Sequence, residues 1–368
     1  MAAGRESDDL VGFAERVLNL LEQGSFVATY KYAVLLGLID LCLQKTQRNG
    51  AAPTSITTRE LALKVVELYW PHATSFEETG AVLRQNTGRQ ARILTDVIAF
   101  RAGLPDPSLP MERARAQDPI RFERLVRSVE WTLILMPLPR LQIVGRQHDP
   151  ILYQIGWELG IERRRRAVIQ YQQGKGGDFD NLIRLQPGVG EWLVRLNGLL
   201  RPLIHRGWAS MVAQMNGLTA ARLETFLFGA ERVSLNSVRP GLIELQDGCC
   251  FYCGARLAGR AEVDHFVPWS RYPDNGIENL VVADARCNGS KRDFLAASRH
   301  LSGWSARNRD RGPELAEIAA RIGGDSHAER TLGVARGVYL RLAEGTPLWL
   351  RGQEFDQAVT AELRRALA

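Results

Sequence analysis

Residues 262–291 read EVDHFVPWSRYPDNGIENLVVADARCNGSK, and this run decides how the rest of the chain is read. Ala261 to Phe266 is expected to be a strand, with Asp264-His265 closing a short apolar run. Pro268 to Glu278 is a loop in which Pro273, Asp274, Asn275 and Gly276 are turn formers. Asn279-Leu280-Val281-Val282 re-enters an apolar core, and Ala285 to Leu295 reads as a helix. On such a helix Asn288, Lys291 and Arg292 stand at i, i+3 and i+4 and share a face. If that face looks at the strand holding Asp264 and His265, five polar side chains converge. Upstream, Cys250-Phe251-Tyr252-Cys253-Gly254 has the form of a knuckle, joined to the strand by a hairpin.

The order of these residues resembles the HNH nuclease motif, the ββα-metal finger, over about Leu245 to Leu295. It is also similar to the HNH domain of RNA-guided CRISPR effectors. The shared pattern is aspartate-histidine, asparagine after a loop, then asparagine three positions before lysine. The rest of the chain shows no such similarity. The resemblance implies that His265 is the general base, for which an ordinary imidazole pKa of ~6.5 is suitable. It implies that Asp264 and Asn288 are ligands of a catalytic divalent ion. One carboxylate, one amide oxygen and waters suit magnesium or manganese. The side chain of Asp264 is expected on the strand face opposite His265, unless twist or a bulge re-aims one of them. Asn279 matches the middle asparagine, which orients the base. Lys291 and Arg292 are placed to contact phosphate, and Arg271 in the loop is a further candidate. Trp269 has two readings, packing on sugar or on the finger's own core.

Many relatives in this family bind a structural zinc through two cysteine pairs. Here the pairs would be Cys250 with Cys253, and Asp284 with Cys287, so a carboxylate stands where a thiolate is usual. Cys249 is an alternative donor. The competing reading is a metal-free hairpin with Cys250, Cys253 and Cys287 packed as small hydrophobes.

Outside the motif the signals are broader. The chain has 368 residues, room for two or three domains, and 45% of them are hydrophobic, which excludes global disorder. A net charge of +6 and a pI near 9.2 favour a polyanionic partner. Five cysteines, four of them in the motif region, suggest thiols or metal ligation rather than a disulfide framework. Met1 to Asp9 lacks a signal-peptide core. Ala33 to Leu43 is too short to span a bilayer and contains Asp40, so it reads as a buried helix. A cytoplasmic protein without membrane contact is the expectation.

The expected fold is mainly α with a small α+β insertion. Residues 1–237 form a helical domain that positions nucleic acid or docks a partner. Residues 238–300 form the finger, and residues 301–368 a helical C-terminal segment. Thr57 with Glu60 resembles a capping box opening the helix Arg59 to Tyr69, which Pro71 ends. Pro119 opens another helix. Gly103 to Pro110 is the linker candidate, and Gly174 to Asp178 a glycine-rich loop. Arg163 to Arg166 lie inside a helix, as a phosphate patch or a solvated face. The functional expectation is a metal-dependent endodeoxyribonuclease of bacterial restriction or defence, acting on DNA as a homodimer or with a partner protein of that system. The alternative is a nucleic-acid-binding or assembly subunit with a structural finger.

Overall fold

The computed structural model describes residues 2–23, 27–144, 147–158, 160–176, 178–229, 235–257 and 261–368. It is mainly helical with small β elements. Two units divide the chain. The first joins Met1–Cys42 to Pro53–Gly229, and the second joins Leu43–Ala52 to Ala230–Ala368.

In the first unit the helices are α1 (Ala2–Gln23), α2 (Tyr30–Gln44, which runs on into the second unit), α3 (Thr58–Tyr69), α4 (Arg92–Ala102), α5 (Met111–Gln117), α6 (Pro119–Leu135), α7 (Pro137–Arg140), α8 (Arg165–Gln172), α9 (Val189–Arg195), α10 (Asn197–Asn216) and α11 (Ala220–Phe228). Strands β1 (Ser55–Thr57), β5 (Leu182–Leu185) and β4 (Tyr153–Ile155) pair antiparallel in that order. A two-residue ladder joins β2 (Ile143–Val144) to β3 (Gln147–His148).

Local chemistry explains several boundaries. Thr57 accepts from the Glu60 backbone N–H and Glu60 accepts from that of Thr57, so the capping box fixes the start of α3. Asp118 caps the first turn of α6, behind Pro119. Asp40 is tolerated inside apolar α2 because Arg201 of α10 forms a buried ion pair with it.

Two expectations change here. Gly103 to Pro110 joins α4 to α5 inside the first unit, and it is tied down there. Arg101 donates to the Pro107 carbonyl, and the Trp70 indole N–H donates to Leu109. The four arginines do not share one helix. Arg163 and Arg164 close a 3-10 turn, Arg165 and Arg166 open α8, and all four are exposed. The glycine-rich loop includes residue 177, which lies outside the described residues.

The second unit holds α12 (Arg239–Leu245), β6 (Ala261–His265), β7 (Leu280–Asp284), α13 (Ala285–Lys291), α14 (Ser298–Asp310), α15 (Gly312–Ile322), α16 (Ala328–Tyr339), β8 (Pro347–Arg351), β9 (Glu354–Gln357) and α17 (Thr360–Ala366). β6 and β7 are antiparallel, from Ala261 opposite Asp284 to His265 opposite Leu280. Ala261, Leu280 and Val282 pack with Leu242 of α12 and with Leu315 and Ile318 of α15. The strand-strand-helix order of the finger is therefore present. The hairpin expected before β6 includes residues 258–260, which lie outside the described residues.

α13 stops four residues before the expected Leu295. Arg292 follows it with φ +48° and ψ −130°, which breaks the helix and removes Arg292 from its face. The C-terminal segment is not wholly helical, since β8 and β9 form a hairpin. Residues 43–52 belong to this unit through close contact with α16. A Cβ at Gly333 would sit 1.9 Å from the Gln44 carbonyl oxygen, so only glycine fits there. Gln44 also bonds the Tyr272 hydroxyl, and Arg341 donates to the Gly50 carbonyl at 2.8 Å. Among the described residues, no helix is long and apolar enough to cross a membrane.

Candidate active site

Side chains alternate along β6, so Glu262 and Asp264 share one face while Ala261, Val263 and His265 take the other. Ala261 and Val263 go to the core. α13 lies over the Glu262–Asp264 face, and its i, i+3 pair meets the strand's i, i+2 pair. Asn288 Nδ2 donates to Glu262 Oε2 at 2.9 Å. One turn later, Lys291 Nζ lies 3.0 Å from Asp264 Oδ2 and donates to the His265 carbonyl at 2.9 Å. Tyr252, from the knuckle, donates its hydroxyl to Asp264 Oδ2 at 2.5 Å. Burial and the Asp264 carboxylate push the Tyr252 pKa well up, so the phenol remains a donor.

Asn279 is completely buried. Its amide accepts from the Val267 N–H at 2.8 Å and donates to the carbonyls of Val267 and Asp274, each at 3.1 Å. It thereby ties the chain just after His265 to the far end of the loop. Asp274 is held in turn by Thr331 at 2.9 Å, and Glu278 by Ser326 at 2.6 Å. From α14, Trp304 and Arg307 donate to the Glu278 carbonyl, and Arg307 also to that of Leu280, all at 2.7 Å. The loop therefore presents a fixed backbone. His265 itself is half-buried, with Nε2 2.9 Å from Asn275 Oδ1 and its ring 5.3 Å from that of Trp269.

The structure thus gathers Asp264, Asn288, Lys291 and the His265 backbone at one strand-helix seam. It does not bring Lys291 to the surface, where phosphate contact had been expected: its side chain is 0% exposed and faces inward. Arg271 and Arg292 are exposed and lie off the helix face, Arg292 donating to the Gly289 carbonyl. Sequence reasoning missed Glu262, although the period-two rule places it beside Asp264. It treated Asn275 only as a turn former, and nothing local signalled the distant clamps from α14 and α16.

The oxygen donors suit a hard divalent cation. The Asn288 amide nitrogen is committed to Glu262, so Oδ1 is the atom that Asn288 would offer to a cation. A second donor set is softer. The sulfurs of Cys250, Cys253 and Cys287 lie within 4.8 Å of one another. Tetrahedral zinc with Zn–S bonds of ~2.3 Å spaces its sulfurs ~3.8 Å apart, so the three fit one ion. Burial, then the sulfurs of Cys250 and Cys253, push the Cys287 thiol up. Burial acts the same way on Cys253, but hydrogen bonds from Ala255, Cys250 and Cys287 bring it below an ordinary thiol. Cys253 is exposed, which does not accord with a small buried hydrophobe. Among the described residues Asp284 and Cys249 stand outside this trio. The Asp284 carboxylate caps α13 through the Arg286 N–H, and its own N–H donates to Cys250 Sγ at 3.3 Å.

Residues 250–297 match the family model described as HNH endonuclease. That stretch is an HNH endonuclease domain. No curated protein and no solved structure matches the chain. The HNH domain makes a nucleic acid the substrate class, and domains of this kind generally use a divalent metal. Its matched span takes in the cysteine trio and the strand-helix seam alike.

Proposed function

We propose that the protein is a metal-dependent endonuclease that hydrolyses phosphodiester bonds in DNA. The observation that carries this reading is the placement of Asp264 and Asn288 on one seam, at the end of the strand that holds His265. His265 takes a proton from water, whose oxygen attacks phosphorus in line. The bond to the 3′ oxygen breaks, leaving a 5′-phosphate and a 3′-hydroxyl. Asp264 and Asn288, with Glu262 beside them, would hold the divalent cation, which supplies charge neutralisation at the leaving 3′ oxygen. Lys291 fixes the Asp264 carboxylate and the His265 carbonyl from below, rather than meeting substrate. Asn279 fixes the loop. Arg271 and Arg292, both exposed, take phosphates of the backbone.

The net charge of +6 supports a polyanionic partner. Among the described residues each chain offers one such seam, so double-strand cleavage needs a homodimer or two successive nicks. We place the activity in bacterial restriction or defence, in the cytoplasm, with the first unit positioning nucleic acid or docking a partner protein. Supercoiled plasmid, with magnesium or manganese, tests the reading. Native protein should cut, and His265→Ala should be slower by about 10²–10⁴-fold. Parallel arms with single-stranded DNA and RNA assign the substrate. Equal residual cutting by both proteins would leave the finger a structural module of a nucleic-acid-binding subunit.

A further inference from the structure

Beyond the matched span, α14 and the β8–β9 hairpin are locked to the end of the finger. The Trp349 N–H donates to the Leu295 carbonyl and the Ala297 N–H to that of Trp349, each at 2.8 Å. His300 Nε2 donates to the Leu350 carbonyl, also at 2.8 Å. The knuckle, the first turn of α14 and β8 together line a cleft of about 420 Å³. Its floor is aromatic and buried. Tyr252 stands edge-on to His300 and to Trp349, at centroid distances of 5.3 and 5.1 Å, and His300 stacks on Trp349. Its rim carries Arg299 and Arg351, both exposed.

Charge, ring chemistry and position all suit this cleft to a nucleic-acid strand. Glu354 accepts from Arg351 Nε at 2.8 Å and lies within electrostatic reach of Arg299. Two cations against one carboxylate leave the rim positive. The bond to Glu354 uses Nε, so among the described residues the terminal nitrogens of Arg351 remain for a phosphate. Phe355 stands opposite Trp349 on the ladder and therefore on the same face of the hairpin. It is 42% exposed and packs edge-on against Phe294, which is 47% exposed, with centroids 4.9 Å apart. Arginines beside exposed rings hold a strand with unstacked bases, phosphates on the cations and bases on the rings. Tyr252 lines the cleft, and its hydroxyl reaches Asp264 at 2.5 Å. A strand lying on the seam thus has the cleft one side chain away.

We propose that this cleft takes a backbone phosphate of a single strand of nucleic acid, held by Arg299 and Arg351, while a base next to that phosphate stacks on the Phe294–Phe355 pair. This rests on the nuclease reading above and names the form of substrate bound beside the seam, an unpaired strand. Bases in a duplex keep their faces against their neighbours, so a duplex uses the arginines but not the rings. Glu354 competes with the phosphate and gives up Arg351 as the strand binds.

Fluorescence anisotropy with the full chain tests it, without added divalent ion so that nothing is cut. The probe is a labelled DNA of about 16 nucleotides, single-stranded or annealed to its complement. The double variant Arg299→Gln with Arg351→Gln should weaken single-strand binding by about 3–10-fold. It should also make the slope of log K on log salt shallower by about 0.7, the share of one phosphate. Glu354→Gln should tighten binding by about 2–5-fold, a gain that misfolding cannot mimic. Phe355→Ala should weaken single-strand binding by about 5–100-fold and leave duplex binding within about twofold. Native affinity and salt slope in the double variant, no gain from Glu354→Gln, or equal losses on both probes from Phe355→Ala, each overturn the proposal. Binding as expected, with no cutting by the native protein once magnesium or manganese is added, would instead sink the nuclease reading.

Discussion

A buried ammonium needs an answering charge, and for Lys291 that charge is Asp264. The pair is closed further by the Tyr252 hydroxyl and the His265 carbonyl. Removing one member leaves the other buried and uncompensated. Lys291→Met should therefore cost about 3–5 kcal/mol in urea unfolding of the metal-free chain. A loss under ~1 kcal/mol would mean that the seam relaxes and that Asp264 finds water. The same residue shows why a role inferred from position in a motif is incomplete. Spacing puts Lys291 on the helix face that meets β6, and that face is the buried one.

At the scale of elements, the knuckle and the start of α13 form a unit around three sulfurs. Metal-free protein given zinc should take up about one ion per chain through these thiolates. Cys253→Ser should abolish uptake and lower Tm, while Cys249→Ser should change neither. Zinc content by atomic absorption and a melting curve would decide it, and full uptake by Cys253→Ser would remove the assignment. What was legible in the sequence at this scale was local. The Thr57–Glu60 capping box, the Pro119 start and the strand-strand-helix order each rest on residues within a few positions of one another. Arg292 ended its helix early without any such signal, because arginine is an ordinary helix former and only its backbone angles depart. The clamps on the segment after His265 come from Trp304, Arg307 and Thr331, tens of residues away, at spacings with no periodic signature. The β8–β9 hairpin went unread for a related reason: β9 is exposed at every residue, so it lacks a buried alternation.

Over the whole molecule, acid should weaken the first unit. His205 on α10 lies flat on Phe228, with centroids 4.0 Å apart. Burial, then Arg201 and His72, bring its pKa down to about 3. The unfolded imidazole titrates near ~6.5. Above that value both states are neutral and pH has no effect through this group. As pH falls from there towards 3, the unfolded chain takes a proton that the fold refuses, so stability declines by at most ~1.4 kcal/mol per pH unit. Melting temperatures at pH 7.5 and 5 should fall less for His205→Phe than for the native protein, and equal falls would assign the acid sensitivity elsewhere.

Residues 43–52 are made long before the rest of the unit they complete. At ~5–20 residues per second, the intervening stretch of about 180 residues takes a ribosome roughly ten to forty seconds. For that interval the strip that Gly333 is shaped to meet has nothing to meet. A gene cut just before the nuclease end would encode a tail missing one of its own walls. The cutting module is thus not a cassette that can be lifted out, and recombination that moves it must carry a piece of the early chain as well.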